Sequence, residues 1–263
     1  MAKTPIVVLA LAISLAGCAT TKAGSDPLEN YNRAMFGVNR ALDAAVVKPT
    51  TTVYRTVTPV PARRGLARVL ENLSEPWSAI NALLQGKPKR AINSLGRFLV
   101  NTTIGVGGLA DHATGLGLKP TREDFGQTLA SWGVGDGGYF MLPLLGPSTV
   151  RDSVGLGVQM VADPQNILIA ETLNPRGIES AAVIATRAIN ARSELVDSGV
   201  DEVLNSSADP YATARSAYFQ RRAAAIADDD SGSASVDADV DAALKEISEG
   251  EAANPAPEGT PPE

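Results

Sequence analysis

The sequence is poor in the side chains on which most enzyme and metal chemistry depends. Its 263 residues include one cysteine, Cys18, and one histidine, His112. One cysteine excludes an intramolecular disulfide and a cysteine-based metal cluster, and one histidine excludes a His-rich zinc or iron site. Aromatic residues make up only 5% of the chain, and the Lys/Arg residues are scattered along it. Nucleic-acid binding through base stacking and phosphate contacts therefore has little support.

Motifs of the common catalytic sites are missing as well. His112 follows Asp111, but adjacent side chains rarely face each other productively, and no G-x-S-x-G nucleophile motif accompanies them. The stretch 105–117 (GVGGLADHATGLG) lacks the Gly-Lys-Ser/Thr ending of a phosphate-binding loop. The pair Glu123-Asp124 is explained by a helix start, where carboxylates favour the helix dipole. We expect no enzyme, no cofactor and no metal site, but a binding or conduit role.

The mature chain has no uninterrupted run of apolar residues long enough to cross a bilayer, and the N-terminus carries only a short one. Lys3 precedes an apolar stretch, 5–16, that is typical of a secretory signal. The stretch ends in Leu15-Ala16-Gly17-Cys18, which resembles the lipobox of bacterial lipoproteins. In a lipobox the small residues admit the signal peptidase, and the cysteine receives a diacylglyceryl group.

These observations predict how the N-terminus is processed. We expect a lipoprotein signal peptide at 1–17, lipidation of Cys18 and a lipidated linker at 18–25; the alternative is an ordinary signal peptide with an incidental cysteine. Ala19 stands where an aspartate usually retains such lipoproteins at the inner membrane. Outer-membrane sorting is therefore favoured.

Charge is unevenly distributed along the chain. Residues 228–263 hold eleven acidic residues and one lysine, a net charge of −10, whereas residues 18–227 hold 21 Lys/Arg and 18 Asp/Glu, a net charge of +3. The acidic segment is also rich in Pro, Ala and Gly, with too little apolar area to offset the entropy of ordering. We predict a disordered acidic tail at 228–263 after one domain at 26–227.

Within that domain, apolar residues recur every three or four positions in short segments punctuated by Gly and Pro. The pattern predicts a mainly α, single-domain fold of short amphipathic helices. Residues 50–58 (TTTVYRTVT) are strand-like in composition, and Glu75-Pro76 should separate two helices. The longest helix is expected at 179–196. Further helix starts are expected at Asp26-Pro27, Pro88, Pro147 and Asp209-Pro210.

One short segment is more hydrophobic than its neighbours. Residues 139–145 (YFMLPLL) hold six large apolar side chains around Pro143, and glycines flank them. The proline argues against an uninterrupted helix, and the length is far below the roughly 20 residues that span a bilayer. The run is either a buried core segment or an element that dips into the membrane. The amphipathic helices pose the same choice, because periodicity does not distinguish a core face from a lipid face.

Four blocks of sequence behind the lipobox resemble one family, the MlaA/VacJ outer-membrane lipoproteins. They occur in the family order and cover most of residues 26–224. The blocks begin DPLENYNRAMF at 26, NLSEPWSAIN at 72, EDFGQTLASWGVGDGGYF at 123 and SSADPYATARSAYFQRR at 206. The resemblance implies a ring of amphipathic helices, embedded in the periplasmic leaflet of the outer membrane, around a polar channel.

The resemblance also implies a function and partners. Such proteins pass mislocalised phospholipid from the outer leaflet to a periplasmic lipid carrier, MlaC, and so maintain outer-membrane lipid asymmetry. They associate with a trimeric porin and bind no nucleotide. A second class of function stays open, namely a porin-associated structural or virulence lipoprotein without transport activity. A third, a phospholipid-cleaving enzyme, is disfavoured by the missing nucleophile–base pair.

Candidate site residues follow from the same resemblance. A hinge or gate, or else a plain turn, is expected at Gly133, Val134, Gly135, Gly137 and Gly138. The family commonly has Gly-Pro where this chain has Gly137-Gly138, which should loosen the turn. The candidate polar lining comprises Asn30, Asn32, Asn39, Arg40, Asn101, Thr102 and Thr103. The candidate membrane-dipping element comprises Tyr139, Phe140, Met141, Leu142, Pro143, Leu144 and Leu145.

Replacing the cysteine tests the anchor. We expect Cys18→Ala to abolish acylation and to weaken membrane attachment, because stable anchoring needs more than one acyl chain or a second membrane-binding signal. Metabolic labelling with a palmitate analogue and membrane fractionation measure the two effects. Undiminished acylation and attachment of the variant would refute the lipobox assignment.

Overall fold

The computed structural model describes residues 26–167 and 178–228, with side chains described from residue 184 in the second range. The expected lipidation site, Cys18, and residues 229–263 of the acidic tail lie outside this part. The described chain is mainly helical, as the periodicity predicts. Its helices are α1 Glu29–Leu42, α2 Lys48–Val57, α3 Val60–Leu84, α4 Pro88–Thr103, α5 His112–Gly115, α6 Phe125–Ser131, α7 Val150–Ala162, α8 Ile178–Asp197, α9 Val200–Ser206 and α10 Pro210–Ile226.

The expected strand at 50–58 is wrong, because this segment forms α2. A π-helical turn, Asp43–Val47, joins α1 to α2 without a break. The hydroxyls of Thr50, Thr52 and Thr56 each donate to the carbonyl four residues earlier, at 2.7–2.8 Å. These bonds satisfy the threonine side chains within the helix. Packing of α2 against α8 then outweighs the β-propensity of the sequence.

The expected break at Glu75-Pro76 is also wrong. Helix α3 runs through Pro76 and, with 25 residues, is longer than the helix expected at 179–196, which is α8 with 20. A proline inside a helix costs about 3 kcal/mol, because it removes one hydrogen bond and crowds the preceding turn. The buried face of α3 lies along α4 in the most extensive helix contact of the described part. That contact compensates for the proline.

The hydrophobic run forms a β-hairpin. Strand β1, Tyr139–Leu142, pairs antiparallel with β2, Gly146–Thr149. The expected helix start at Pro147 is therefore wrong: Pro147 pairs with Met141, and α7 begins after the hairpin. The Thr149 hydroxyl accepts from the backbone N–H of Asp152 at 3.2 Å and caps α7.

The interior of the described part is unusually polar. Its large, fully buried side chains include Met141 alongside Arg97, Asn32, Asn81, Thr51, Thr128, Thr149 and Ser94. Charged and amide side chains are almost never fully buried in ordinary domains unless they are paired. Here they are paired: Arg97 Nε donates to Glu75 at 2.6 Å, and Thr128 donates to Asn81 at 2.8 Å.

The outer surface of the same part is correspondingly apolar. Ile92 is 71% exposed, Leu99 61% and Leu83 58%, all on the long helices α3 and α4. Isolated exposed leucines are normal, but a set of them on neighbouring helices marks a surface for lipid or for a partner. No helix within 26–167 and 178–228 combines the length and hydropathy required to cross a bilayer.

Helices α6 and α7 approach each other through two glycines. A Cβ placed on Gly155 would lie 2.5 Å from the backbone nitrogen of Gly126. A Cβ on Gly126 would meet the side chains of Asp152 and Arg222, which themselves form an ion pair. The close approach thus places α10, through Arg222, against both helices.

A side chain at this crossing is expected to destabilise the fold. We predict that Gly155→Ala lowers the free energy of unfolding by about 1–3 kcal/mol, the usual cost of overpacking. The matched control is Gly157→Ala on the same helix, where the added Cβ meets nothing within 4 Å. This control should be neutral or slightly stabilising, because alanine is a better helix former than glycine. Chemical unfolding of the detergent-purified proteins measures both; equal stabilities would contradict the crossing.

Candidate functional site

An open cavity of about 460 Å³, lined mostly by polar and charged residues, lies between α2 and the helices α8 and α9. Its α2 wall consists of side chains spaced three and four residues apart, which places them on one helix face. That wall is Lys48, Thr51, Thr52, Arg55 and Thr56. The opposite wall is Arg192 and Val196 from α8 and Asp201 from α9. We call this space the α2 cavity.

Helix α2 is amphipathic, and its polar face lies toward the cavity while its apolar face lies outward. Its polar face lines the α2 cavity, whereas Val53 and Val57 on the other side are 62% and 70% exposed. In a water-soluble globular protein, the apolar stripe of a surface helix faces the core instead. Helix α2 therefore has the pattern of a wall between a polar space and an apolar environment.

Ion pairs fix the charged side chains of the cavity. Arg192 donates to Asp43 at 2.7 Å and to Asp201 at 2.8 Å, and its hydrogen bonds to Asp43 raise the pKa of the guanidinium above its ordinary value. Arg55 pairs with Asp197 at 2.6 Å. Lys48 has no ion-pair partner in the described part of the chain. The lining itself thus carries three cations and one carboxylate.

A second polar cluster joins α3, α4 and α5 but is closed by its own bonds. Arg97 contacts Glu75, Asp111 and Thr114, all within 3.3 Å. Burial raises the pKa of Glu75, and Arg97 opposes that shift. Burial also disfavours ionised Asp111, but hydrogen bonds from Thr114 and Asn101 outweigh it and hold the pKa of Asp111 at about 2. This cluster has a structural role, because its polar atoms already have partners within the protein.

The predicted lining residues at the end of α4 belong to this structural corner. Asn101 donates to Asp111 at 3.1 Å and accepts from the backbone N–H of Ala113 at 3.0 Å. Thr102 accepts from Asn72 at 2.9 Å, and Thr103 donates to the carbonyl of Leu99. None of the three is among the residues that line the α2 cavity in the described structure.

Two of the predicted lining residues on α1 hold the hairpin instead. Asn32 accepts from the Met141 N–H at 2.8 Å and donates to the Tyr139 carbonyl at 3.2 Å. Asn39, seven residues on, accepts from the Leu144 N–H at 2.8 Å and donates to the Leu142 carbonyl at 2.9 Å. Asn32 thus bonds the backbone of β1, and Asn39 bonds the end of β1 and the turn that follows it. The Asn spacing of seven, two helical turns, was the available sequence signal for this role.

The other two predicted lining positions on α1 are exposed. Asn30 lies on the surface, and Arg40 donates to Asn205 at 2.9 Å, next to the α2 cavity wall formed by α9. The residues that do line the cavity on α2 were missed, because their segment had been predicted as a strand. Once the segment is read as a helix, its i, i+3, i+4, i+7 polar spacing indicates the lining.

The residues of the predicted membrane-dipping run do not share one environment, because those of strand β1 face alternately inward and outward. Tyr139 and Met141 are 3% and 0% exposed and pack with Tyr211 in a small aromatic core, so the prediction that they face lipid is wrong. Alternate side chains of a strand point to opposite faces, which explains why these two turn inward together. Phe140 and Leu142 are half-buried and Pro143 is exposed. The outermost side chains are Leu144, 75% exposed, and Leu145, 58% exposed, at the hairpin turn.

The predicted gate, residues 133–138, directly precedes strand β1 of the hairpin. Gly133 and Gly137 have φ angles of 86° and 68°, which L side chains rarely adopt. Val134 donates its N–H to the Leu129 carbonyl at the end of α6. Gly135 and Gly138 have open space around the Cα, and Asp136 between them pairs with Arg151 of α7. The carbonyls of Asp136 and Gly138 accept from the N–H groups of Arg151 and Val150, both at 3.1 Å, so the second half of the segment is fixed to the start of α7.

No group of three or more His, Cys, Asp or Glu side chains in the described ranges is arranged to hold a metal ion. What the structure offers is a polar interior with an accessible cavity, beneath a surface of exposed apolar side chains. This distribution defines a class, the proteins that lie in a lipid interface and enclose polar groups. The chain belongs to the MlaA lipoprotein family, whose model matches residues 24–225.

Individual relatives agree with the family. The intermembrane phospholipid transport system lipoprotein MlaA of Shigella flexneri is 37% identical over 215 residues, which are 79% of this chain and 82% of the relative. Its namesake from Haemophilus influenzae is 35% identical over 234 residues, 83% of this chain and 88% of the relative. A chain solved in work on the structural basis for maintenance of bacterial outer membrane lipid asymmetry is similar with a TM-score of 0.66 at 37% identity, covering 77% of this chain and 99% of that one.

The asparagine pairing on α1 is testable. We expect Asn32→Leu to leave the Tyr139 carbonyl and the Met141 N–H buried without partners, at about 1–3 kcal/mol for each group. The free energy of unfolding should fall, and hydrogen exchange at the Met141 amide should accelerate. The control is Asn30→Leu, an exposed asparagine on the same helix. Unchanged protection of Met141 in Asn32→Leu would show that α1 does not hold the hairpin.

Proposed function

We propose that this chain is an outer-membrane lipoprotein that removes mislocalised phospholipid from the outer leaflet and passes it through a polar channel toward a periplasmic lipid carrier. The protein thereby maintains the asymmetry of outer-membrane lipids and takes part in intermembrane phospholipid transport. The observation that carries the proposal is helix α2, which separates a polar cavity from an apolar surface. Membership of the MlaA lipoprotein family supports it.

The physical problem in such transport is the head group. Moving a charged head group through hydrocarbon without compensating contacts is far more costly than moving the acyl tails, which lose nothing there. A cavity lined by Lys48, Arg55, Arg192 and threonine hydroxyls offers the head group hydrogen bonds. The tails remain outside against side chains such as Val53 and Val57. The barrier falls because each part of the lipid keeps a suitable environment.

Embedding in the leaflet follows from the same surface. The exposed apolar side chains of α3 and α4 supply one hydrophobic face, and the hairpin turn at Leu144 and Leu145 supplies another. Helices with one apolar face bind in the plane of the interface, and lipidation at Cys18 adds an independent anchor. The membrane-dipping element is then the turn of the hairpin, while the rest of the run is its support.

The glycine segment 133–138 is the proposed hinge. Gly133 and Gly137 supply backbone angles that other residues resist, and a Cβ added at Gly133 or Gly135 would meet nothing within 4 Å. The Asp136–Arg151 ion pair connects the segment to α7, so a hinge motion there must break this pair or carry α7 with it. A trimeric porin and an MlaC-type carrier are the proposed partners.

The conduit is tested on the two faces of α2. We expect the double variant Thr52→Leu, Thr56→Leu to lower phospholipid transfer severalfold, because it removes hydroxyls that the head group would contact. The matched control, Val53→Leu with Val57→Leu, changes the opposite face of the same helix and should transfer normally. Transfer of fluorescent phospholipid from vesicles containing the full chain to a soluble carrier measures both.

Three outcomes separate the functions. Transfer lost only in the cavity variant supports the conduit. Porin binding without any transfer by the unmodified protein would favour a structural lipoprotein. Appearance of lysophospholipid or free fatty acid in the same vesicles would indicate an enzyme instead.

A further inference from the structure

The acidic tail begins at a group of cations that the proposed function does not use. Asp228, the last described residue after α10, pairs with Lys87 at 2.5 Å and lies 3.8 Å from Arg90. Lys87 directly precedes α4, and Arg90 lies in its first turn. Lys89, between them in sequence, is exposed. We call residues 87–90 the basic turn.

Asp228 takes its position against two local preferences. Its φ angle is 57°, a left-handed conformation that residues other than glycine rarely adopt. It also follows the C-terminal end of α10, where the helix dipole disfavours a carboxylate. The ion pairs with the basic turn are the favourable contacts that oppose both preferences. They therefore bring the start of the tail to α4.

The charges at the basic turn do not balance without the tail. Lys87, Lys89 and Arg90 carry three positive charges. The fully buried carboxylate of Glu123 lies 2.5 Å from Arg90 and 3.9 Å from Lys87 and balances one of them. Asp228 balances a second. One positive charge then remains for acidic residues further along the tail.

The covalent chain keeps the next two carboxylates close to this charge. Asp229 and Asp230 follow Asp228 directly, and a chain extends by at most about 3.3–3.6 Å per residue. The Cα of Asp230 therefore lies within about 7 Å of the Cα of Asp228. Lys89 is two residues from Lys87 and has no ion-pair partner within 26–167 and 178–228. It is the cation that these carboxylates are placed to reach.

The basic turn also connects two stretches of the apolar surface. Leu83 and Leu84, at the end of α3, and Ile92, on α4, are all exposed. Cations next to apolar helix faces reach the level of the head groups when those faces lie in lipid, and anionic lipids attract them. Without the tail, the basic turn is therefore suited to bind the phosphate of an anionic head group.

We propose that the acidic tail is a tethered competitor for the basic turn. Its first residues, 228–230, pair with Lys87, Lys89 and Arg90 and withhold these cations from anionic phospholipid head groups. Because the tail belongs to the same chain, its effective concentration at the turn is high, and a membrane rich in anionic lipid is needed to displace it. The inference rests on the proposed embedding in a leaflet and adds to it a response to the surface charge of that leaflet.

The contact is tested by zero-length cross-linking of the full-length protein in vesicles. A carbodiimide joins lysine amines to carboxylates that touch them, and mass spectrometry identifies the joined peptides. In phosphatidylcholine vesicles we expect Lys89 to be joined to Asp229 or Asp230. Roughly 0.5 M NaCl should lower the yield severalfold, because salt screens exposed charges. Replacing part of the lipid with phosphatidylglycerol should also lower it severalfold, since the head groups compete for the same cation.

Two double variants with the same change in net charge provide the matched comparison. Asp229→Asn with Asp230→Asn changes the start of the tail, and Asp239→Asn with Asp241→Asn changes a later part. Native mass spectrometry of the detergent-solubilised proteins measures the phosphatidylglycerol that each retains. The first variant should retain about fivefold more than the unmodified protein, the factor that two exposed ion pairs contribute together. The second should match the unmodified protein.

Each result decides one part of the inference. Absence of the cross-links from Lys89 to the tail, or a yield that salt leaves unchanged, overturns the docking of the tail. A yield that phosphatidylglycerol does not lower overturns the competition. Equal lipid retention by the two double variants would show that the tail acts through its net charge alone and overturns the specific contact.

A further arm separates a lipid head group from free phosphate. Inorganic phosphate, added to phosphatidylcholine vesicles at matched ionic strength, should lower the cross-link yield less than phosphatidylglycerol does. An equal effect would overturn the membrane lipid as the ligand of the basic turn. None of these measurements depends on lipid transfer, so failure of the proposed transport and failure of this inference are distinguishable.

Discussion

The buried guanidinium of Arg97 holds together helices α3 and α4 and the corner that carries α5. It lies 2.6 Å from Glu75 of α3 and 2.6 Å from the carbonyl of Leu118, and it also contacts Asp111 and Thr114. One side chain thus joins α3, α4 and the corner that carries α5. Replacing a buried ion pair with apolar groups is often harmless, but removing one partner leaves a buried charge and costs about 3–5 kcal/mol. The pair is best seen as fixing geometry in an interior that has few apolar side chains to do so.

A polar interior places its own constraint on the exterior. Many of its buried donors and acceptors are matched by other groups of the protein, so the helices cannot slide past one another without losing several bonds at once. The apolar side chains excluded from this interior remain on the outside, as Ile92 and Leu99 do. In water such a surface would favour aggregation, whereas in a lipid interface it is stabilising. The same distribution therefore determines both the fold and the environment in which it is stable.

The sequence predicted local features well and failed where tertiary contacts decide. The mainly helical fold is confirmed, as are the starts of α4 at Pro88 and of α10 at Pro210, where proline occupies the first turn and the signal is local. Pro76 was misread because the contact that carries α3 through it comes from another helix. Residues 50–58 were misread because threonine is β-branched, although a helix can satisfy its hydroxyl. The family was recognisable from four ordered blocks, which depend on no single helix boundary.

The candidate site, like the fold, was predicted from the sequence only in part. Glycine spacing marked the segment 133–138, and its positive φ angles at Gly133 and Gly137 agree with a turn that needs glycine. The polar residues chosen on α1 were real polar features, but helical phase alone did not show that Asn32 and Asn39 bond a strand. The α2 cavity needs α2, α8 and α9 together, and Lys48 and Asp201 are far apart in the sequence. No local pattern reports such a meeting.

The two asparagines of α1 have a mechanical consequence. An amide offers both a donor and an acceptor, so each asparagine copies the pair of bonds that a neighbouring strand would make. At Tyr139 and Met141 helix α1 therefore takes the place of a third strand. Four bonds along two turns of α1 thus fix the hairpin to the helix. The orientation of the exposed Leu144 and Leu145 is then coupled to that of α1.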